Sequence, residues 1–506
     1  MISKWNKEYQ WFFGDNSDAE GFNHPGISEF KAIKYDGLAR EIIQNSLDAK
    51  HDDSRPVKVV FEHLQLGMDL FPDIEGFYNK IDKSTKYVEE VEPDNNTVSR
   101  LKAIRKALGY REKNNKFDVL KVSDYNTTGL SLININGEWD EERGTSWANL
   151  VRRTGNSYKS DGDGGSFGIG KFAPFVLSTI RTVIYSTKNA KTGYVALQGK
   201  TILSAHLEGL IKKSHYGFFG KTIRLEQENR NYIDSRAITN SDEIPDEFLR
   251  REAGTDVYIL NANITDKQKK DTWYYQVLMS VIKNFFYAIM CNLLEVEIIS
   301  LEGEKILINQ ETIRAVCEEY SNYIDELEDV LEYIDLLSNK KINIEEKVFL
   351  LPNGEMGKMK LYLYTNDELK QKGIYHIRKT GMTIEIKRPR APMNYVGIAT
   401  TANNEMNSFL RECEAPKHDE WNSNNYKDTQ EEQRMAKKVL NEIDRWEKEC
   451  LKNLYILPET EEIDPFGMED YLPNDLEEYE GVDKENGLSK EFKPLEGNLK
   501  LRKDLK

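Results

Sequence analysis

Between Leu38 and Leu47 the apolar residues Leu38, Ala39, Ile42, Ile43 and Leu47 recur at the spacing of one helical face. Across from them Glu41, Asn45 and Asp48 fall at i, i+4 and i+7, within one narrow polar stripe. The pattern predicts an amphipathic helix packed on a sheet, preceded by an aromatic, turn-rich arm over residues 1–30. Strand-like runs follow at Pro56–His63, Asp118–Val122, Thr182–Ser186, Gly193–Gly199 and Ala253–Leu260. The span from Asp69 to Lys116 is polar with helical character and reads as an insertion or peripheral layer. Trp273–Leu294 is the most apolar helix candidate, but Lys283, Asn284 and Asn292 interrupt it. It is expected inside a globular domain rather than across a membrane. Strands return at Lys347–Leu351, Met359–Tyr364 and Ile374–Ile384. Gln430–Leu454 reads as a charged amphipathic helix suited to docking or pairing, with Met435, Val439, Leu440, Ile443 and Trp446 on one side.

Bulk properties narrow the class. A chain of 506 residues, 39% hydrophobic, should hold two to four domains with their own cores. Its 70 basic and 86 acidic residues leave a net charge of −16, which argues against a general nucleic-acid sleeve. Cys291, Cys317, Cys413 and Cys450 lie far apart with no histidine at ligand spacing, so neither a zinc site nor a disulfide framework is expected. The first residues lack the apolar core of a signal peptide, and a cytoplasmic setting is expected. Beyond Pro458 the chain turns acidic and poor in apolar residues, as in a flexible linker or partner-binding tail.

Several stretches carry candidate chemistry. In the helix, Glu41 can polarise a water while the Asn45 amide oxygen joins the shell of a magnesium ion that also touches substrate phosphates. The competing reading is a solvated helix face. Asp124, just past a buried strand, is placed to accept from an exocyclic amine such as that of adenine, and Gly129 would let a flat base approach the backbone. The alternative is an Asx-turn that only ends the strand. Residues 131–164 have the composition of a mobile lid and run into Gly165, Gly168, Gly170 and Lys171. Those glycines free backbone N–H groups for phosphate oxygens, and Lys171 adds a charge. Gly165–Lys171 fits the start of a P-loop, but Phe172 stands where the metal-binding Ser or Thr must be. No dinucleotide fingerprint fits either, because Phe167 takes its last glycine position. Gly254-Thr255 opens a strand and is uninformative alone. His418, among carboxylates in Glu414–Trp421, reads as a structural histidine in a polar turn.

Taken in order, Glu41-x-x-x-Asn45-x-x-Asp48, Asp124 with Gly129, the Gly165–Gly168–Gly170 stretch and Gly254-Thr255 resemble the GHKL superfamily of gyrase, heat-shock chaperone, histidine kinase and MutL ATPases. The resemblance covers residues 30–262 and is nearest the MORC-like or MutL-like two-domain branch. It implies an α+β chain: a Bergerat-type ATP-binding α/β sandwich (1–262), a transducer-like α/β domain (263–425), an amphipathic helix (426–456) and an acidic tail (457–506). By the same resemblance Glu41 is the general base, Asn45 the magnesium ligand, and Asp124 with Thr255 the adenine site. Asp48, Gly129 and the Gly165–Lys171 loop complete the ATP contacts. By analogy of placement, Arg378 or Lys379 reaches the terminal phosphate from the second domain, the alternative being a solvated basic turn. One departure is that Asn126 stands where the family has its first glycine, and Gly129 comes one residue late. The implied function is a slow magnesium-dependent ATPase that closes a lid and forms a homodimer when nucleotide-bound, in a DNA-directed or phage-defence setting. An effector or nuclease partner and DNA are further candidates. The alternative is a nucleotide-sensing scaffold without turnover.

Overall fold

The computed structural model describes residues 3–15, 22, 24–153, 170–227, 230–264, 272–322, 326–338, 342–415, 417–427 and 429–454. All belong to one compact unit, Met1–Leu454. The acidic tail, Gly165 and Gly168 therefore lie outside the described residues.

The first sheet contains β1 (Tyr9–Asp15), β2 (Val57–Gly67), β3 (Lys116–Tyr125), β4 (Thr182–Lys188), β5 (Val195–Ile202), β6 (His206–Glu208), β7 (Ile211–Gln227), β8 (Arg230–Arg236), β9 (Gly254–Leu260), β10 (Leu294–Ile299) and β11 (Lys305–Ile308). Their order is β1-β7-β5-β4-β9-β3-β2-β10-β11, with β6 and β8 also paired to β7. The second sheet runs β12-β13-β16-β14-β15, from β12 (Asn343–Leu350), β13 (Met356–Thr365), β14 (Lys372–Ile377), β15 (Thr383–Lys387) and β16 (Tyr395–Thr401). The helices are α1 (Pro25–Glu29), α2 (Lys34–Asp48), α3 (Ile74–Glu90), α4 (Asn95–Asn114), α5 (Ala173–Leu177), α6 (Trp273–Met290), α7 (Ile313–Tyr320), α8 (Glu326–Ser338), α9 (Asn404–Glu412) and α10 (Gln430–Leu454). This mixed α+β architecture, a large sheet sandwich followed by a second sheet, is the one the resemblance implied.

Period-two alternation divides the first sheet between two cores. Leu120 and Val122 of β3, Val183 and Tyr185 of β4, and Val257 and Ile259 of β9 join α2 and α6 on one face. Phe117, Val119, Ile184, Tyr258 and Leu260 face the other way, under α3, α4 and the aromatics of the arm. The span 69–116 is thus a full covering layer. The arm adds β1, antiparallel to β7 with Trp11 opposite Phe219, and buries Trp5, Trp11 and Phe13.

The first sheet reaches beyond the boundary expected at residue 262. β10 pairs in parallel with β2, Val296 beside Val59, and β11 closes that edge. The reason lies in α6, which is apolar nearly all round and must be covered on every side. It packs on α2 from one direction and on α8 from another, so one continuous core also takes in Tyr375, Ile377, Val396 and Ile398 of the second sheet. α10 docks on that sheet: Trp446 meets Phe349 edge-on at 5.7 Å, and Asp444 pairs with Lys387 at 2.7 Å. No described helix is long and apolar enough to cross a membrane, and all four cysteines are free.

Candidate functional site

Helix α2 forms as its pattern dictates. Leu38, Ala39 and Ile43 are fully buried and Leu47 nearly so, facing the sheet and α6. Its C-terminus is tied to the turn after β3: the Thr128 N–H donates to the Ala49 carbonyl at 2.9 Å and the His51 N–H to the Asn126 carbonyl at 3.0 Å. Asn126 sets the bend of that turn. Asn126 takes φ 58°, which asparagine tolerates better than most residues. Its amide is pinned by the carbonyls of Asp52 and Arg55, both at 2.9 Å. Gly129 follows at φ 65°, where a Cβ would stand 3.0 Å from the carbonyl carbon of Lys188 and 3.1 Å from Thr187 Oγ1.

Asp124 sits where α2, β3 and β9 meet. Its Oδ1 accepts from the Thr127 hydroxyl at 2.6 Å and the Thr255 N–H at 2.7 Å, and its Oδ2 accepts from Ser46 of α2 at 3.3 Å. Burial pushes the carboxyl pKa up, against those hydrogen bonds and Arg250. Since a carboxylate offers about four acceptor positions, Oδ2 keeps capacity for one further donor, as an adenine amine requires. Gly254 is necessary here: at φ 133° its Cα lies so close that a Cβ would be 2.7 Å from both Asp124 Oδ1 and Arg250 Nη2. The Thr255 hydroxyl lies 3.2 Å from that of Thr187, which also donates to the Gly254 carbonyl at 2.9 Å. Thr187 was absent from the sequence reading; nothing in a β-branched strand marks one threonine as a junction.

Glu41 occupies the other end of the polar stripe. It is only 8% exposed, and its carboxylate packs directly on Gly170, leaving no room for a side chain there. Helix α2 and Gly170, far apart in sequence, therefore meet. Burial raises the Glu41 pKa, opposed by His418, Arg40 and Arg378 in that order. Asn45 is exposed one turn along, and among the described residues its carboxamide makes no hydrogen bond. Its amide oxygen offers one neutral donor to a magnesium ion that keeps several waters and takes the rest of its shell from phosphates.

No protein-family model and no curated protein matches this chain. Solved structures similar to it include the ATPase region of Saccharomyces cerevisiae topoisomerase II, at 9% identity over 72% of each chain with a TM-score of 0.30. The ATPase domain of the Aquifex aeolicus mismatch repair endonuclease MutL is 13% identical over 72% of this chain and 88% of its own, with a TM-score of 0.25. The ATPase and transducer domains of Balamuthia mandrillaris topoisomerase II are 9% identical over 82% and 86%, with a TM-score of 0.32. Likeness at such scores carries no argument about chemistry, which rests on the contacts within the chain.

Lys171 lies on the short turn Gly170–Phe172 and donates to the Asn149 carbonyl at 3.2 Å. Burial first, then Arg153, brings its pKa down to about 8. Deeper in, Lys200 is fully buried and donates to the Val151 carbonyl at 2.7 Å, and burial pushes its pKa well down. This second lysine also escaped the sequence reading, since it lies within a strand of ordinary appearance.

The two basic candidates of the second sheet part company. Arg378 is 3% exposed, so a solvated turn does not describe it. Its guanidinium lies 3.8 Å from Asp48 of α2 and 3.4 Å from Glu414. Lys379 is exposed and binds Asn404 of α9 at 2.5 Å, away from α2. Asp48, expected among the nucleotide contacts, faces Arg378 and, at 3.6 Å, Arg411. His418, read as a residue of a polar turn, is buried against α2. Periodicity misses such a contact because its partners lie more than 370 residues apart.

Proposed function

We propose that this protein is a magnesium-dependent ATPase of the GHKL type, in which ATP binding and slow hydrolysis drive lid closure and dimerisation. One observation carries the reading. A single helix holds a buried carboxylate, Glu41, against the end of a glycine-rich segment and, through Ser46, touches an adenine-ready carboxylate, Asp124.

In this reading Asp124 and Thr255 hold the base, and Lys171 with the adjoining backbone N–H groups balances phosphate charge. Asn45 would hold magnesium, which would supply charge neutralisation at the phosphates. Glu41 accepts a proton from the attacking water as its oxygen bonds to the terminal phosphorus and the bond to the ADP oxygen breaks. Burial suits this role, because a carboxylate with a raised pKa is a stronger base near neutrality. Of Arg378 and Lys379, both from the lobe built on the second sheet, Arg378 is the one brought to α2 and is the better candidate for sensing nucleotide state there. A DNA-directed or phage-defence role and an effector or nuclease partner have the resemblance as their support; a cytoplasmic setting has the charged composition and the free cysteines.

Phosphate release from purified protein with ATP and magnesium tests the proposal. Glu41→Ala should lower it by about 100-fold or more, with binding of a non-hydrolysable analogue retained and a shift in solution mass from monomer to dimer. Unchanged release with retained binding would sink the ATPase reading and leave the nucleotide-sensing scaffold. Release stimulated by DNA with steep salt dependence would instead favour an ATP-gated clamp.

A further inference from the structure

The second lobe sends a histidine to the helix that carries Glu41. His418 is 5% exposed, and its Nδ1 lies 2.7 Å from Glu414 Oε2. That contact fixes the ring and turns Nε2 toward α2, where it lies 3.4 Å from Gln44 Nε2. Gln44 is three residues after Glu41 and so shares its side of the helix. Arg40 of α2 donates to the His418 backbone carbonyl and, at 3.0 Å, to Asn284 of α6. His418 itself sits at φ 54°, a conformation that costs free energy in a non-glycine residue and recurs where a side chain must be held in a set place. Gln44 Oε1 is buried without a hydrogen-bond partner. With the amide turned over, that oxygen would accept from Nε2–H, so the contact serves either protonation state of the ring.

The geometry points to His418 as a positioning residue for the general base: held by Glu414, it orients the Glu41 carboxylate and makes hydrolysis depend on the second lobe. The inference rests on the ATPase reading above. Glu41 then has two supports of different origin, Gly170 from its own lobe and His418 from the other. Burial raises the Glu41 pKa, and His418, ahead of Arg40 and Arg378, works against it. The charged groups gathered around the histidine are Glu414 from its own segment, Arg40, Glu41 and Asp48 from α2, and Arg378, which pairs with Glu414, from the turn after β14. A carboxylate–histidine pair set through Gln44 against the helix turn that carries a second carboxylate can fix orientation and ionisation together.

The test compares wild type, His418→Ala, His418→Gln and Glu414→Gln for ATP turnover across pH and for binding of a non-hydrolysable ATP analogue. His418→Ala should lower kcat ten- to a hundredfold, with analogue affinity and thermal midpoint near wild type. Because Glu41 loses a partner that favours its charged form, the acidic limb of the rate profile should move to higher pH. His418→Gln keeps an N–H to aim at the helix and should recover part of the rate, and Glu414→Gln should fall between. An unmoved limb, or loss of rate only in step with loss of binding and folding, overturns the proposal. A second readout does not depend on turnover: the Glu41 carboxylate titration, followed by infrared difference spectra against Glu41→Gln. If wild type shows no turnover that needs Glu41, the ATPase reading fails. The His418–Glu41 coupling then stands if His418→Ala raises the titration midpoint and falls if the midpoint does not move.

Discussion

Gly170→Ala isolates the contact on which the site turns. Gly170 has an ordinary backbone conformation, so alanine costs nothing in φ. The cost is local: the new Cβ would stand 3.0 Å from Glu41 Oε1 and overlap Oε2. The carboxylate is the far end of a flexible side chain, so it can withdraw by about 1–2 Å to reach a normal non-bonded separation. Stability should therefore fall by only about 1–2 kcal/mol, the scale for overfilling a site whose neighbour can move. Catalysis should suffer much more, because displacing a proton acceptor by about 1 Å costs on the order of 100-fold in rate. Turnover is measured by phosphate release, folding by thermal melting, and nucleotide binding by calorimetry with a non-hydrolysable analogue. A large loss of kcat with a small shift in melting supports the packing of Glu41 on Gly170 as part of the mechanism. A variant that turns over at the wild-type rate refutes it.

Three further outcomes follow from the same structure. Asp124→Asn removes the charge that awaits the base amine, and analogue affinity should weaken by about 10–100-fold, the worth of a hydrogen bond to a charged group; unchanged affinity in calorimetry would exclude Asp124 from the site. Gly254→Ala forces a side chain into φ 133° and to 2.7 Å from Asp124 Oδ1, so the melting midpoint should drop by an amount equivalent to about 1–3 kcal/mol, and an unchanged midpoint would contradict the observed strand start. His376 lies buried between Glu385 at 3.2 Å and Glu447 of α10 at 2.8 Å; burial lowers its pKa, but the two carboxylates prevail and lift it to about 9. The folded state then holds a proton that the unfolded state releases near pH 6.5, so stability should decline from there to about pH 9. Thermal melts of Glu447→Gln should show a flatter decline, and an equal slope would refute the pairing.

The sequence was most legible where chemistry and periodicity coincide. Leu38, Ala39, Ile43 and Leu47 announced the buried face of α2, and their register placed Glu41, Asn45 and Asp48 before any contact was visible. Asn126 could be read as a glycine substitute because its conformational tolerance is intrinsic to the residue. What could not be read were contacts without local signature. Thr187, Lys200 and His418 look ordinary in their segments and acquire meaning only from what folding brings beside them. The boundary at 262 failed for a related reason: β10 carries the pattern of any buried strand, and only parallel pairing with β2 assigns it to the first sheet. Arg378 and Lys379 are adjacent, yet one is buried against Asp48 and the other exposed, because successive residues leaving a strand face opposite ways.

Helix α2 joins the two lobes along its length. Asp36 accepts from Ser280 at 2.8 Å and from Asn284 at 3.0 Å on α6, Arg40 reaches both α6 and His418, and Asp48 faces Arg378 and Arg411. The contacts at Asp48 are long for ion pairs, and because the Asp48 and Arg411 side chains each keep 27% exposure, solvent screening leaves them little net stability. A rigid helix whose polar groups can trade partners is suited to two discrete arrangements, more so than a loop that deforms continuously. A nucleotide that draws on Glu41 and Asn45 would thus be felt first at Asp48, two turns along the same helix, and passed to Arg378 and Arg411 without any change in the first sheet. Coupling of this kind would make the second lobe part of the switch rather than a passive attachment, because its arginines and His418 are held by the same helix that carries Glu41 and Asn45.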